Sequence, residues 1–330
     1  MVSRFDEFLV HQTEQPLASV ASEHAEWQDR FYFNIHDWNG EFALITGLGA
    51  FPNRKMMQAY IFAAHAGQHY SYLQVRPLNN DREVMKAGTL SYSVIEPLKS
   101  WALDIEDEAS GINGSLVFKE RCPPYRFSPI AWQNGGHLVV KQMHYTQAGV
   151  YEGSLSIGGR TFSELFGMRD RSWGVRDMAR VPFWVWISAQ FESFCISAWL
   201  WETPEGEVIR ADGALVPESG EVRPVVKIEH QLELWKGTKR PRMANFRLTM
   251  ADGRVERLIA SEIQTIFLAP GMARWPDSDG DALRRADAAS FGFDQHCRFE
   301  LGGEEGVGIV EYMVTGGHRR YGIPSTARPA

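Results

Sequence analysis

Short segments in which apolar and polar residues alternate recur along almost the whole chain. They are rich in Val, Ile, Phe, Tyr, Trp and Thr, and Gly, Asp or Pro stands between many of them. A period of two is typical of antiparallel strands that bury one face, and the intervening residues are typical of tight turns. The pattern predicts strands over residues 31–35, 42–48, 56–66, 69–77, 89–97, 100–107, 112–121, 137–146, 151–159, 183–191, 194–202, 207–215, 225–235, 243–251, 255–268, 295–303 and 306–316.

Helical patterns are scarce by comparison. The sequence predicts only two short helices, over residues 16–27 and 281–290. Strands do not alternate regularly with helices, so a doubly wound fold or a TIM barrel is not expected. We therefore predict an all-β protein whose antiparallel strands close or stack to protect their edges.

The length of the chain indicates more than one domain. With 330 residues it exceeds the usual size of a single hydrophobic core. Both halves show strand patterns of similar extent. We predict an N-terminal β-barrel domain over residues 1–172 and a C-terminal one over 173–330.

Composition and charge exclude several classes of protein. The chain is 44% hydrophobic with a formal net charge of −7 and has no dense basic run, so nucleic-acid binding is not expected. No apolar run is long enough to span a membrane, and the N-terminus has no signal-peptide pattern. Cys122, Cys195 and Cys297 lie far apart, which argues against a disulfide framework and a zinc site. A cytoplasmic location is expected.

One charged segment, RDRSWGVRD at residues 169–177, precedes the apolar segment VPFWVWISAQF at 181–191. If the charged segment is extended, Arg169, Arg171 and Trp173 share one face and Asp170 shares the other face with Ser172. The sequence leaves two interpretations open. The charges form a structural clasp at a domain junction, or they line a pocket in which charge takes part in chemistry.

With its flanking residues, GMRDRSWGVRD resembles the signature of the lipocalin-like superfamily that includes carotenoid hydratases (hydroxyneurosporene synthases) and AttH-like proteins. Arg171 stands where those proteins commonly have a histidine. Residues 27–53 and 306–317 are similar to the N-terminal part and the final strand of that superfamily. The resemblance implies two tandem lipocalin-like antiparallel β-barrels with an apolar cavity. It also implies hydration, dehydration, isomerisation or cyclisation of bulky hydrophobic molecules without a metal or redox cofactor.

Tryptophans are placed so that they can form a wall. Trp184 and Trp186 lie two apart on one predicted strand, and Trp199 and Trp201 do so on the next, so each pair faces one side. Such a wall holds an apolar ligand or stabilises a carbocation. Filling a barrel core is the alternative.

Polar residues near the motif supply the candidate chemistry. We predict Asp170 as proton donor or acceptor, because a carboxyl group in an apolar pocket acts near neutral pH. Asp177 or His36 is its predicted partner, and the residues predicted to orient polar groups are Arg169 and Arg176. The predicted substrate-binding residues are Trp173, Trp184, Trp186, Tyr312 and His144, and no metal ligands are expected.

These observations lead to two hypotheses. In the first, the protein is a cofactor-independent lyase or isomerase that acts by acid–base chemistry on a bulky hydrophobic small molecule in a β-barrel cavity. In the second, the same cavity belongs to a non-catalytic carrier of a hydrophobic ligand. In both hypotheses the protein binds a hydrophobic small molecule. The sequence leaves open whether the protein is a monomer or a homodimer.

Overall fold

The computed structural model describes Glu7, residues 20–78 and residues 84–327. Most of these residues belong to strands, joined by turns. In chain order the elements are β1 (Trp27–His36), β2 (Phe42–Phe51), β3 (Met56–His65), β4 (Gln68–Pro77), β5 (Lys86–Ala87), β6 (Leu90–Glu96), β7 (Ser100–Asp107), β8 (Ile112–Glu120), β9 (Tyr125–Arg126), β10 (Ile130–Asn134), β11 (His137–Ile157), β12 (Arg160–Phe162), β13 (Leu165–Arg176), β14 (Phe183–Gln190), β15 (Phe194–Glu202), β16 (Val208–Pro217), β17 (Arg223–Leu234), β18 (Pro241–Met250), β19 (Val255–Phe267), β20 (Ala273–Pro276), α1 (Gly280–Ala289), β21 (Gly292–Leu301) and β22 (Glu304–Met313).

The strands form two antiparallel systems, which confirms the predicted all-β class. The first sheet runs in the order β20-β4-β3-β2-β1-β13-β11-β8-β7-β6-β5, and β9, β10 and β12 also pair with β11. It curls into a half-barrel. The second system is a closed eight-stranded barrel of β14 to β19, β21 and β22.

Several sequence-based boundaries change. The two strands predicted over 137–146 and 151–159 are one continuous strand, β11. The helix predicted over 281–290 is confirmed as α1, whose first turn is capped by the Asp279 side chain. The helix predicted over 16–27 is wrong where it can be judged: residues 20–26 are not helical and Trp27 opens β1, while 16–19 lie outside the described residues.

The chain passes from the first sheet to the barrel between Arg176 and Phe183. The C-terminal part of the chain also contributes to the first sheet. Strand β20 lies between the barrel strands β19 and β21 in sequence, but it pairs with β4 of the first sheet. The predicted domain boundary after Ser172 stays a prediction.

Three apolar clusters follow from the alternation of side chains. One fills the concave side of the first sheet, one fills the barrel, and the third lies between the two systems. On β14, Phe183 and Val185 point into the barrel, whereas Trp184 and Trp186 point out towards the first sheet. The expectation that the tryptophans line or fill a barrel interior is therefore wrong, because they sit on its outer wall.

Gly174 lies inside β13 with a backbone conformation that other residues rarely adopt. Its φ is +123°, and a Cβ there would lie 2.2 Å from the carbonyl oxygen of Lys141. Only glycine avoids both the strain and the clash. The strand then continues to Arg176, so the charged motif is a paired central strand and not a turn.

Candidate active site between the two sheets

A cavity of about 270 Å³ lies between the convex side of the first sheet and the outer wall of the barrel. Both systems contribute polar and aromatic side chains to it. From the first sheet come Gln28, Arg30, Tyr32, Tyr60, Phe62, His144, Asp170 and Arg176, and from the barrel come Trp184, Trp186, Trp199, Glu311 and Met313.

Three tryptophans form the barrel side of this cavity. The rings of Trp184 and Trp199 meet edge to face at 5.8 Å, and Trp186 meets Tyr32 of the first sheet at 5.4 Å in the same manner. All four rings are buried. The wall is large and rigid, and it suits a bulky, mainly apolar ligand.

A pair of acidic side chains, Asp294 and Glu311, lies on the same outer wall. The two residues are direct cross-strand neighbours on β21 and β22. The Tyr32 hydroxyl donates to Asp294 Oδ2 at 2.7 Å, and the Trp184 indole N–H donates to Glu311 Oε1 at 2.7 Å. The pair therefore joins the first sheet to the barrel, and Glu311 faces the cavity.

Burial changes the protonation of this acidic pair. It raises the pKa of Asp294 well above its usual range, and the nearby Glu311 charge adds to the rise. Burial also raises the pKa of Glu311, against the opposing effect of Arg30. Two carboxyl groups in contact cannot both ionise easily, so the pair retains a proton to higher pH than free carboxyl groups do.

Asp170 and His144 form a second polar pair on the opposite wall. His144 Nε2 lies 3.3 Å from Asp170 Oδ2. The imidazole is stacked on Phe127 at 4.8 Å and meets the edge of Trp199 at 5.0 Å. The aromatic rings fix the orientation of His144, so the pair is positioned to exchange a proton with a ligand in the cavity.

A guanidinium group lies between the two walls. Arg30 donates to the Tyr60 hydroxyl at 3.1 Å. Burial acts to lower the pKa of Arg30, but Tyr60, Asp170 and Glu311 outweigh it and raise the pKa overall. Burial also raises the pKa of Tyr60. Arg30 therefore stays charged and can hold a ligand oxygen that carries negative charge.

The cavity reaches the surface beside a salt bridge. Arg54 and Glu26 line the cavity and pair at 3.2 Å. Their side chains are 41% and 32% exposed, unlike the tryptophans of the inner wall. This pair marks the side from which a ligand would enter.

Five residues predicted from the sequence meet in the cavity: Asp170, His144, Arg176, Trp184 and Trp186. The Arg176 guanidinium lies over the Trp184 ring at 5.6 Å. Residues of the charged motif and alternate tryptophans of β14 therefore line the same cavity.

The other predicted residues are not among the described residues that line this cavity. Arg169 donates to Glu7 and to Gln147 of β11, and Tyr312 points into the barrel. Asp177 pairs with Arg180 at 2.6 Å. Trp173 lies on β13, on the strand face that it shares with Arg169 and Arg171, and His36 lies at the end of β1. The catalytic and binding roles predicted for these five stay predictions.

Sequence reasoning missed Asp294, Tyr32, Arg30 and Tyr60 as site residues. Each lies in an ordinary alternating strand, where nothing local distinguishes it. Glu311 is the instructive case, because it precedes the predicted residue Tyr312, and neighbours on a strand face opposite sides. Because Tyr312 points into the barrel, Glu311 points outward to the cavity, and it was the better choice on β22 for a site residue.

His36 belongs to a separate buried pair. Its ring lies 5.0 Å from that of His296 on β21, and both side chains are inaccessible to solvent. Burial lowers the pKa of His36 to about 4, against weaker opposing effects of Asp37. Burial, together with His36 and Arg298, lowers the pKa of His296 well below its usual range. Both imidazoles are therefore neutral at the contact between the first sheet and the barrel.

We expect this pair to make the protein sensitive to acid. Between about pH 6.5 and pH 4 the unfolded chain binds a proton at His36 that the folded chain does not, so stability falls as the pH falls through this window. The loss from His36 alone is roughly 3 kcal/mol. Urea denaturation at several pH values measures it.

His36→Gln should flatten this pH dependence by the equivalent of one proton. His137→Gln is the matched control, because His137 is exposed and its loss should leave the profile unchanged. Equal profiles for His36→Gln and the unsubstituted protein would contradict the assignment.

Fold and site together define an all-β protein of lipocalin-like fold, with a closed barrel beside a half-barrel and a cavity between them. The chain belongs to a family of unknown function (DUF8625), whose model matches residues 2–273.

Solved structures of the same fold confirm the predicted resemblance. NE1406 from Nitrosomonas europaea, assigned as an AttH protein, has a TM-score of 0.62 at 15% identity, covering 87% of this chain and 92% of that one. Kievitone hydratase from Nectria haematococca has a TM-score of 0.56 at 11% identity, covering 86% and 88%. CghA, solved with Sch210972, has a TM-score of 0.59 at 12% identity, covering 92% and 94%.

No curated protein matches the chain in sequence. Within residues 20–78 and 84–327, no helix has the length and apolar character needed to cross a membrane.

Proposed function

We propose that this protein is a cytoplasmic lyase or isomerase that uses its own side chains as acid and base on a bulky, largely apolar small molecule. The ligand would lie between the two sheets, against the tryptophans of the barrel wall. The proposal depends on one observation above all: besides Glu26 at its exposed side, a cavity with an aromatic wall contains two carboxyl groups, Glu311 and Asp170, on opposite walls. Hydration, dehydration, double-bond migration and ring closure all need a proton delivered at one point and removed at another.

The surroundings of the two carboxyl groups suggest different roles. Glu311 shares a buried acidic pair with Asp294, which favours a protonated carboxyl that can donate to an alkene or a leaving hydroxyl. Asp170 lies beside His144 and on the Arg30 side, which suits an acceptor of protons. Arg30 would hold a ligand oxygen, and Trp186 would stabilise positive charge that develops on carbon.

The relatives with this fold support the reaction class but do not identify the substrate. One of them is a hydratase, and another was solved with Sch210972. A carrier would need the tryptophan wall but would not need paired carboxyl groups on opposite walls. The acid–base arrangement therefore favours an enzyme over the carrier.

Native mass spectrometry of the protein purified from its own host, followed by solvent extraction, tests the proposal. The extracted compound is incubated with fresh protein and with Glu311→Gln. We expect the compound to gain or lose water, or to change retention time at constant mass, only with the unsubstituted protein. A compound that binds and stays unchanged under all conditions would establish the carrier instead.

A further inference from the structure

A second cluster of functional side chains lies inside the barrel, on the other side of β14 and β15 from the cavity. Glu202 is the last residue of β15, His230 points inward from β17, and His318 lies in the segment that crosses the barrel end after β22. All three are buried, with 6%, 5% and 2% of their surface exposed. The proposed acid–base chemistry uses none of them.

The three side chains converge on a single point. Nε2 of His230 and Nε2 of His318 each lie 2.9 Å from the same carboxylate oxygen, Oε2 of Glu202. The three ligand atoms all lie within 4.8 Å of one another. Three ligands around one small volume is the arrangement that a first-row metal ion requires, and imidazole nitrogen with carboxylate oxygen is a common donor set for it.

Neighbouring residues hold the ligands in this orientation. Tyr321 Oη lies 2.9 Å from Nδ1 of His230 and 3.2 Å from the His230 carbonyl oxygen. The hydroxyl can donate to the carbonyl oxygen while it accepts a hydrogen bond from Nδ1–H, and in that tautomer Nε2 has a free lone pair. Phe183 packs on both imidazoles, and the backbone of His318 is fixed by paired hydrogen bonds with Ile323.

We propose that Glu202, His230 and His318 bind one divalent first-row transition-metal ion, with Zn²⁺ as the reference ion. On binding, each imidazole would present an unprotonated Nε2 to the ion, any proton on that nitrogen would pass to Nδ1 or to solvent, and the two contacts with Glu202 would be replaced by metal–ligand bonds. Three protein ligands leave room for water or a further ligand. The ion would connect β15, β17 and the C-terminal segment at the end of the barrel.

Sequence patterns could not reveal this site. Its members are separated by 28 and 88 positions, without the short spacing that marks a zinc motif. The barrel brings them together because β15 ends, and the segment after β22 turns back, at the same rim.

The experiment uses the full chain, freed of metal with a chelator and dialysed against Zn²⁺. We expect one Zn²⁺ per chain by elemental mass spectrometry, and a visible absorption band when Co²⁺ replaces Zn²⁺. His318→Gln should weaken Zn²⁺ binding by at least the 10–100-fold that even outer partners of a metal site contribute. His137→Gln, which changes an exposed histidine, should bind as the unsubstituted chain does.

Glutamine at position 318 can still donate to Glu202, so a purely hydrogen-bonded cluster predicts a stable variant and no metal. If His318→Gln fails to fold by circular dichroism, Glu202→Gln replaces it, because the amide keeps an acceptor oxygen for both histidines. A folded chain that retains no Zn²⁺, or equal Zn²⁺ binding by the folded variant, would overturn the proposal.

Discussion

Replacement of Arg171 by methionine will lower the free energy of unfolding by about 3–5 kcal/mol. Arg171 is fully buried in the first sheet and donates to Asp29 Oδ1 and to the Arg30 carbonyl oxygen, both at 2.7 Å. Burial acts to lower the pKa of Arg171, but Asp29, with Tyr145 and Glu7, outweighs it and raises the pKa overall, so the guanidinium stays charged. Methionine fills part of the space and leaves the Asp29 carboxylate buried without its main partner. Urea denaturation measures the loss.

The matched control is Arg242→Met, which removes an exposed salt bridge to Glu233 from another strand. Its cost should stay within about 1 kcal/mol, since exposed pairs contribute little. Adding Asp29→Asn to Arg171→Met should recover part of the stability, because the double variant no longer buries the Asp29 charge without the Arg171 guanidinium. A loss for Arg171→Met as small as that of the control would mean that the buried pair is not what holds these strands.

The alternation of the motif reconciles the two interpretations of RDRSWGVRD. Arg169 and Arg171 face the concave side of the first sheet, where they pair with Glu7 and Asp29. Asp170 faces the opposite side and enters the cavity. One face of β13 is therefore structural, and the other contributes to the candidate site. The Arg171–Asp29 pair joins two neighbouring strands of the first sheet, β13 and β1, and the Arg169–Glu7 pair holds Glu7 against β13.

Most of the fold could be predicted from local patterns, because alternation reports which face of a strand is buried. Strand β7, predicted over 100–107, has those bounds, and β15, predicted over 194–202, has them as well. The alternation pattern did not predict strand β13. Arg169 and Arg171 are charged yet buried, so the residues on both faces of this strand are polar. A buried ion pair removes the apolar–polar alternation by which a strand is predicted from its sequence.

The candidate site could be predicted only in part, because it lies where two sheets meet. Asp170 and the tryptophans could be predicted from the sequence, since Asp170 lies in the charged motif and the tryptophans have a spacing of two. Asp294 and Tyr32 could not be predicted. They lie 262 positions apart, and their 2.7 Å hydrogen bond depends on how the barrel docks on the first sheet. Local periodicity contains no information on that docking.

Asp170→Asn will lower the turnover of the substrate found by mass spectrometry by about 100- to 10,000-fold, the usual contribution of a positioned acid or base. Asparagine keeps the size of the side chain and a donor or acceptor for His144, but it cannot take up a proton. Steady-state kinetics should show the loss mainly in kcat, because the tryptophan wall that binds the ligand is unchanged.

Asp177→Asn tests whether position in the cavity matters, and not merely membership of the motif. Asp177 lies seven residues further on and pairs with Arg180, away from the lining of the cavity. We expect its loss to leave turnover unchanged and to affect only the loop before β14. If instead Asp170→Asn keeps its turnover and lowers the melting temperature by several degrees, at ~2–4 °C for each kcal/mol, then Asp170 is a clasp. The carboxylate that faces the tryptophans would then serve the fold, and the carrier would be the better account of the cavity.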